Sequence, residues 1–266
     1  MKKLAFVLGT AAVLFAALTA SPAAYAAPAA ADADEARVDQ VLAKMSKRFK
    51  DEVHITDRKA FLADLRAVLS EEQASRNGDL SLLLLVDKTH SLKDSYVPAG
   101  MVTLKSDELF NVNKTGMTLR PDAYRSLQEM CRGALADGIK LLVSSAYRSY
   151  AYQENLFNYW VRVDGLEEAE RESARPGTSQ HQLGTAIDFG SISDDFDTTP
   201  MGRWVYAHAA EYGWSLSFPK QYEDVTGYRW ECWHFRYIGK AACALQKKWF
   251  ANVQQYMLEF INEWNA

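Results

Sequence analysis

Two short polar segments of the chain contain side chains that could carry out chemistry. One spans residues 176–188 and includes His181 and Asp188, and the other contains Glu231 and His234. Each lies beside an apolar stretch that predicts a β-strand. Imidazole and carboxylate groups are the side chains that bind metal ions and move protons in enzymes, so these segments are the candidate site.

The four residues suit a catalytic zinc centre. Two imidazoles and one carboxylate, from His181, His234 and Asp188, would provide three protein ligands and leave a fourth position for water. One bound Zn2+ lowers the pKa of such a water to about 7. Glu231, as a carboxylate that is not a ligand, could then take the proton. The order of the residues differs from HExxH, so that motif gives no support.

The spacing within each segment predicts how the chain must bend. Positions seven apart on an ideal strand face opposite sides, so His181 must precede the strand that carries Asp188. Gly184 would allow the bend between them. Glu231 and His234 are three apart, and this odd offset requires a turn or a bulge before the second strand.

The other three histidines lack such surroundings. His54 lies in the N-terminal helical region, His90 in a polar loop and His208 within a predicted helix. We interpret all three as histidines that either lie on the surface or have their hydrogen bonds satisfied within the fold.

The pattern of apolar residues predicts a mixed domain. Short apolar runs bounded by turn residues predict strands at residues 82–86, 139–143, 185–189 and 234–238. Helical spacing predicts helices over residues 121–138, 152–172 and 201–212. Because strands and helices mix without strict alternation, the sequence favours an α+β fold.

Both ends of the chain beyond these elements are predicted to be helical. Helical spacing starts at Ala36, and Thr56 or Asp57 can cap a second helix. A stripe of apolar residues from Trp249 to Trp264 is expected to pack on the domain. Residues 27–35 are small and acidic, which predicts a flexible linker.

Composition and the first residues predict an exported protein. The 266 residues are 48% hydrophobic and 24% charged, and the net charge of −4 without a basic run argues against a nucleic-acid partner. Lys2 and Lys3, an apolar stretch and small residues before Ala27 predict a signal peptide over residues 1–26. An uncleaved membrane anchor is the alternative. Later stretches fall short of the ~20 apolar residues that span a bilayer. We therefore expect the periplasm or the cell-wall space as the location.

The ordered motifs resemble one family. Ser179-x-His181-x2-Gly184-x-Ala186-x-Asp188, followed by Glu231-x-Trp233-His234-Phe235-Arg236-Tyr237, resembles the VanY-type zinc D-alanyl-D-alanine carboxypeptidases. That family belongs to a wider group with lysostaphin-like and hedgehog-like domains. Residues 145–149 resemble the family's SGYRS segment, and residues 82–88 with 96–98 also match. The resemblance covers residues 82–239.

The resemblance implies an architecture and a domain division. The fold would be a central, mainly antiparallel sheet that carries the zinc site on one face and is flanked by helices. Residues 78–266 would form the carboxypeptidase domain. Residues 27–77, a linker and an N-terminal helical region, fall outside the resemblance.

The resemblance also implies a role for each site residue. His181, Asp188 and His234 would bind one Zn2+, and Glu231 would activate the water and later protonate the leaving amine. Arg148 would stabilise the oxyanion that develops on the scissile carbonyl. Ser179 and Gln153 would hydrogen-bond the substrate. The substrate would be a peptidoglycan stem peptide, from which C-terminal D-alanine is released.

Two residues depart from the family pattern. Cys232 stands where the family has proline, and Ala146 where it often has glycine. Ligation by Cys232 is disfavoured, because a catalytic site keeps its fourth position open. The sequence allows a disulfide from Cys232 to Cys243 or to Cys131 and does not choose between them, since three cysteines do not determine a pairing.

Other functions are compatible with parts of this pattern. Family members also act as L,D-carboxypeptidases or endopeptidases, and a cell-wall-binding module without activity could keep the fold. Serine penicillin-binding carboxypeptidases need SxxK, SxN and KTG in that order. The chain has Lys114-Thr115-Gly116 before Ser217-Phe218-Pro219-Lys220, which reverses the order, and no SxN follows the serine.

Overall fold

A computed structural model describes residues 27–76 and 78–266 of the chain. The predicted signal peptide, residues 1–26, lies outside the described residues. The helices are α1 (Ala27–Lys44), α2 (Lys47–Glu52), α3 (Arg58–Ser75), α4 (Pro121–Ala136), α5 (Tyr150–Glu172), α6 (Pro200–His208), α7 (Glu223–Thr226), α8 (Lys240–Trp249) and α9 (Gln254–Asn265). The strands are β1 (Val102–Thr103), β2 (Phe110–Val112), β3 (Thr118–Leu119), β4 (Leu141–Ser145), β5 (Ala186–Phe189), β6 (Trp214–Leu216) and β7 (His234–Tyr237).

Five strands form the central sheet in the order β2-β4-β5-β7-β6. The pair β2 and β4 is parallel, and the other three pairs are antiparallel. Strands β1 and β3 form a separate antiparallel pair. This mainly antiparallel sheet with flanking helices confirms the predicted α+β fold.

The register of the sheet aligns one residue from each of three adjacent strands. Asp188 on the middle strand β5 pairs with Ser145 on β4 and with His234 on β7. The ladder between β4 and β5 is irregular between Val143 and Ser145. Side chains that project from these paired positions therefore meet over the centre of the sheet.

The helices from the two ends of the chain share one hydrophobic core. Phe61 on α3 lies edge-on to Trp249, Phe250 and Phe260, with ring centroids 5.2–5.9 Å apart, and α1 packs on α9. The C-terminal apolar stripe thus packs within the chain, as expected. Residues 27–35, predicted as a linker, lie instead within α1. Alanine has the highest helix propensity, and alanine is the commonest residue in this stretch.

The strand predicted at residues 82–86 is wrong. These residues are largely buried but form a turn followed by irregular backbone. The carbonyls of Leu82 and Leu84 accept hydrogen bonds of 2.7 and 2.8 Å from Nη2 of Arg236. The buried guanidinium thus donates hydrogen bonds to carbonyls that would otherwise need N–H donors from a neighbouring strand.

The remaining predicted helices are present with small shifts of their ends. Helix α5 contains one break at Gly165, whose φ of 84° lies in the left-handed region. Helix α6 continues into a short 3-10 helix that ends at Gly213, as expected from the sequence. Among residues 27–76 and 78–266, no helix combines the length and the apolar character needed to cross a membrane.

Candidate metal centre

His181 and Asp188 are separated by the bend that their spacing requires. His181 lies in a 3-10 helix (Gln180–Leu183), at whose start the Ser179 hydroxyl accepts a hydrogen bond from the His181 N–H. Gly184 then adopts a φ of 69°, which glycine reaches without steric cost. Strand β5 begins two residues later, and its residue Asp188 lies beside the imidazole of His181.

Glu231 and His234 are joined by a turn that precedes β7. The His234 N–H donates to the Glu231 carbonyl over 3.3 Å. Because of this turn, the side chains of Glu231 and His234 point to the same site although the two residues are three positions apart. Oε2 of Glu231 lies 3.7 Å from Nδ1 of His234.

Three side chains form a buried group that could hold a metal ion. The ligand atoms of His181, Asp188 and His234 all lie within 4.8 Å of one another. Oδ1 of Asp188 is 3.4 Å from Nε2 of His181 and 3.1 Å from Nδ1 of His234. Each residue is at most 3% exposed. Two nitrogens and one oxygen at this separation are the donor set of a catalytic zinc site.

Hydrogen bonds behind the two imidazoles select the nitrogens that face the centre. Nδ1 of His181 lies 2.7 Å from the Ala146 carbonyl, and Nε2 of His234 lies 3.2 Å from Oε1 of Gln180. Each of these oxygens accepts a hydrogen bond from the ring N–H, which leaves the opposite ring nitrogen with its lone pair toward the centre. Nε2 of His181 is buried and has no hydrogen-bond partner in the described part of the chain, so the residues present fit a bound cation.

Arg148 contacts the same carboxylate from the cleft side. Its Nη2 donates to Oδ2 of Asp188 over 2.6 Å, and its Nε donates to the Ser145 hydroxyl over 3.0 Å. Its side chain remains 19% exposed. The guanidinium is therefore held by β4 and β5 while part of it faces the cleft.

Burial and neighbouring charges set the protonation of the cluster. Burial, together with the charge of Arg148, lowers the pKa of His181 to about 4. Burial acts to raise the pKa of Asp188, but its interaction with His181 and the charge of Arg148 hold that pKa well below its usual range. A neutral imidazole and an ionised carboxylate are the forms that bind metal ions.

Glu231 is shifted in the opposite direction. Burial and the nearby charge of Asp188 raise the pKa of Glu231 to about 8. Its side chain is 13% exposed. A carboxyl group with a pKa near neutrality is well matched to general acid–base work, because it can both give up and take up a proton.

The cluster opens into a cleft of about 360 Å3. Arg148, Ser179 and Glu231 line it together with the three clustered side chains. Gln153 is placed behind this surface: its Nε2 donates to the Ser173 hydroxyl and to the Ala174 carbonyl, which belong to the cleft wall. Of the two residues predicted to contact the substrate, Ser179 therefore lines the cleft. Gln153 instead lies behind the cleft wall and holds it by hydrogen bonds.

The two departures from the family pattern leave the cluster intact. Ala146 contributes only its carbonyl oxygen, which alanine supplies as well as glycine does. The Cys232 thiol points away and donates to the Ser193 carbonyl over 3.3 Å. Cys131, Cys232 and Cys243 are all free and buried, so neither of the two disulfides left open by the sequence is formed.

Sequence reasoning missed Gln180. Its Oε1 lies beside the His234 ring and also accepts a 2.7 Å hydrogen bond from the Ser217 hydroxyl. It thus orients a metal-facing imidazole that is 54 residues away along the chain. Its position beside His181 is the only signal in the sequence, and it does not distinguish Gln180 from Gln182.

Comparisons with known proteins agree with this site. A family model described as VanY D-alanyl-D-alanine carboxypeptidase matches residues 116–240, which include all residues of the cluster. The chain is 35% identical over 168 residues to the Bacillus subtilis (strain 168) protein YodJ. That match covers 61% of this chain and 62% of YodJ, so the chain spans less than two thirds of this relative.

Two solved structures share the fold. The LdcB LD-carboxypeptidase is 29% identical with a TM-score of 0.59, and the match covers 68% of this chain and 86% of LdcB. A mutant of the vancomycin resistance D,D-pentapeptidase VanY from a VanB-type cassette, solved with Zn(II), is 26% identical with a TM-score of 0.50. That match covers 62% of this chain and 91% of the other. By the matched motifs, the shared fold and the buried His-Asp-His cluster, residues 116–240 of this chain are similar to the VanY family of D-alanyl-D-alanine carboxypeptidases.

Proposed function

We propose that the protein is a zinc metallopeptidase that releases the C-terminal D-alanine from peptidoglycan stem peptides, as a D,D-carboxypeptidase. One observation carries the proposal: His181, Asp188 and His234 converge on a point that Glu231 and Arg148 also face, within one cleft. A non-catalytic binding module would not need a buried carboxyl group with a raised pKa beside a set of metal ligands.

The cluster would hold a single Zn2+, the ion found with the related VanY structure. When bound, zinc polarises the scissile carbonyl and lowers the pKa of a coordinated water. The protein would contribute two neutral imidazoles and one carboxylate. The Ala146 carbonyl and Gln180 would keep the imidazoles in the orientation that the ion requires.

Glu231 would take the proton from the attacking water and return it to the leaving amine. The carboxylate lies beside His234 without belonging to the three-residue cluster, so its oxygens stay free for proton transfer. A positive ion nearby lowers the pKa of a carboxylate, so the value near 8 of the metal-free site would fall toward neutrality.

Arg148 would stabilise the negative charge that develops on the carbonyl oxygen. Its fixed guanidinium offers donors in a plane and is already held in position by Ser145 and Asp188. Preorganised donors of this kind need no reorganisation during the reaction. Ser179, on the cleft surface, would hydrogen-bond the substrate near its terminal carboxylate. A direct contact by Gln153 would require its amide to turn away from Ser173.

An L,D-carboxypeptidase is the second candidate, because LdcB shares the fold with a TM-score of 0.59. Such an enzyme would release D-alanine from a tetrapeptide. Both activities use the same metal site and differ in how the cleft receives the residue before the scissile bond.

The test is release of free D-alanine by the purified protein from muramyl pentapeptide and muramyl tetrapeptide side by side. Release should occur from the pentapeptide, stop with a chelator and return with zinc. Glu231→Gln should abolish it, whereas the exposed Glu108→Gln should not. Release from the tetrapeptide alone would establish the L,D-activity instead. No zinc-dependent release from either substrate would contradict the proposal.

We propose in addition that the protein is exported to the periplasm or cell-wall space. The pattern of residues 1–26 supports this. N-terminal sequencing of the protein recovered outside the cytoplasm should begin at Ala27. A protein that retains residue 1 and stays inside the cell would contradict it.

A further inference from the structure

Helix α5 carries an apolar stripe that the described residues, 27–76 and 78–266, leave exposed or partly exposed. The stripe consists of Tyr152, Leu156, Tyr159, Trp160 and Val163, which share one face of the helix. Tyr152, Tyr159 and Val163 are 46, 48 and 55% exposed. The buried residues of α5 are Gln153, Phe157 and Ala169, so burial of this helix falls outside the five residues of the stripe. Clusters of exposed apolar side chains of this kind mark binding surfaces.

The stripe continues directly from the metal centre. Tyr152, Leu156 and Trp160 line the same cleft as the metal cluster, and Ile192, which is 53% exposed, lines that cleft as well. Helix α5 begins two residues after Arg148, so it leads away from the scissile position. A group bound at the cleft end of the stripe would therefore lie in the same cleft as a molecule whose end is at the metal cluster.

The distances fit the substrate. A five-residue stem peptide whose last bond lies at the ion places its first residue roughly 13 Å away when extended. The helical rise from Tyr150 to the Tyr159–Trp160 pair is roughly 14 Å. The two rings of that pair meet edge to face, with centroids 5.1 Å apart. The length of α5 up to this pair is thus comparable with the length of the extended stem peptide, and Trp160 lines the cleft.

The chemistry of the stripe suits a sugar better than a lipid surface. Tyrosine and tryptophan offer flat apolar faces with a polar edge, which match the C–H face and the hydroxyl and acetamido groups of a pyranose ring. The end of α5 carries Glu167, Glu168, Glu170 and Glu172 against Arg171, and the whole chain is acidic. An anionic membrane surface would be repelled by these charges.

We propose that the α5 stripe binds the N-acetylated sugar to which the stem peptide is attached, with Tyr159 and Trp160 as its platform. The inference rests on the proposed function and deepens it. It makes the glycan-linked peptide, and not the free peptide, the preferred substrate.

The test compares a free pentapeptide with the same pentapeptide carrying N-acetylmuramic acid. The sugar should raise kcat/KM about tenfold, mostly through KM. In Tyr159→Ala and Trp160→Ala the ratio between the two substrates should fall toward one. Tyr159→Phe keeps the aromatic face and should keep the ratio, as should the control Leu135→Ala on α4, where an equally exposed apolar side chain lies outside the cleft. Equal kcat/KM values for both substrates in the unmodified protein would overturn the proposal, and so would a ratio that both alanine variants retain.

A second measurement does not depend on catalysis. Calorimetric titration with the disaccharide of N-acetylglucosamine and N-acetylmuramic acid, without peptide, should show saturable binding that Tyr159→Ala abolishes. If the proposed function fails, this titration still decides whether the stripe binds sugar. No binding of the disaccharide would overturn the inference. Flotation with anionic phospholipid vesicles that Tyr159→Ala abolishes would overturn it in favour of a membrane contact.

Discussion

Nη2 of Arg148 lies 2.6 Å from Oδ2 of Asp188, while Oδ1 of the same carboxylate faces both imidazoles of the cluster. The two oxygens of Asp188 thus serve different partners. The guanidinium fixes the carboxylate from one side and leaves the other oxygen for the centre. Arg148 is therefore tied to the metal-ligand set as well as to the cleft.

Replacing Arg148 should separate these two roles. Arg148→Ala should lower kcat by roughly 10²–10³, the cost typical of removing one oxyanion donor. Arg148→Lys keeps the charge but loses the planar fork, so it should recover only part of the rate. Bound zinc, measured by elemental analysis, should stay at one per chain in both variants. Loss of zinc from Arg148→Lys would show that the guanidinium acts mainly through Asp188.

Zinc should stabilise the fold. A ligand that binds only the native state at a hundred times its Kd raises the unfolding midpoint by roughly 5–10 °C for a domain of this size. Thermal unfolding with a chelator and with added zinc measures this shift. His181→Ala should lose it, because one of the three ligand groups is gone. His54→Ala, in the exposed loop between α2 and α3, should keep the full shift; an unchanged shift in His181→Ala would place the ion elsewhere.

The metal-free protein should lose stability as the pH rises toward 8. Burial and the Asp188 charge raise the pKa of Glu231 from 4.5 to about 8, so folding favours the protonated form. That stabilisation is complete below the unfolded pKa near 4.5 and disappears as the pH passes through about 8. His181, with its lowered pKa, has the opposite effect only below about 6.5.

The measurement is the free energy of urea unfolding of chelated protein between pH 6.5 and 8. The decline in this range should be steeper in the unmodified protein than in Glu231→Gln, which has no proton to lose. Glu108→Gln is the matched control and should follow the unmodified protein. Parallel profiles for Glu231→Gln and the unmodified protein would contradict the raised pKa.

The N-terminal helices should unfold together with the rest of the protein. Phe61 is fully buried among three aromatic rings from α8, α9 and the segment that joins them. Phe61→Ala should therefore cost about 3–5 kcal/mol in the free energy of unfolding. Arg66→Ala, on the exposed side of the same helix, should change it by less than about 0.5 kcal/mol. A separate early transition in Phe61→Ala would show that residues 27–75 fold on their own.

The metal cluster could be predicted because its determinants are local. His181 and Asp188 are seven residues apart with a glycine between them, and Glu231 and His234 share a single turn. Sterics of strand and turn therefore dictate that each pair converges. The sheet register, which joins the two pairs, follows from antiparallel pairing of β5 with β7.

The misassigned segments depend on distant residues. Whether residues 82–86 form a strand is decided by Arg236, more than 150 positions away, whose guanidinium occupies their carbonyls. Residues 27–35 are helical in a helix that packs on α9, at the other end of the chain. A local pattern contains neither partner, and the same holds for the contact of Gln180 with His234.

The ring cluster around Phe61 also sets an order of events in folding. Its partners, Trp249, Phe250 and Phe260, come roughly 190–200 residues later in the chain. During synthesis, α3 therefore cannot form these contacts until almost the whole chain is available. Completion of the core that joins α3 to α8 and α9 is therefore coupled to arrival of the C-terminus.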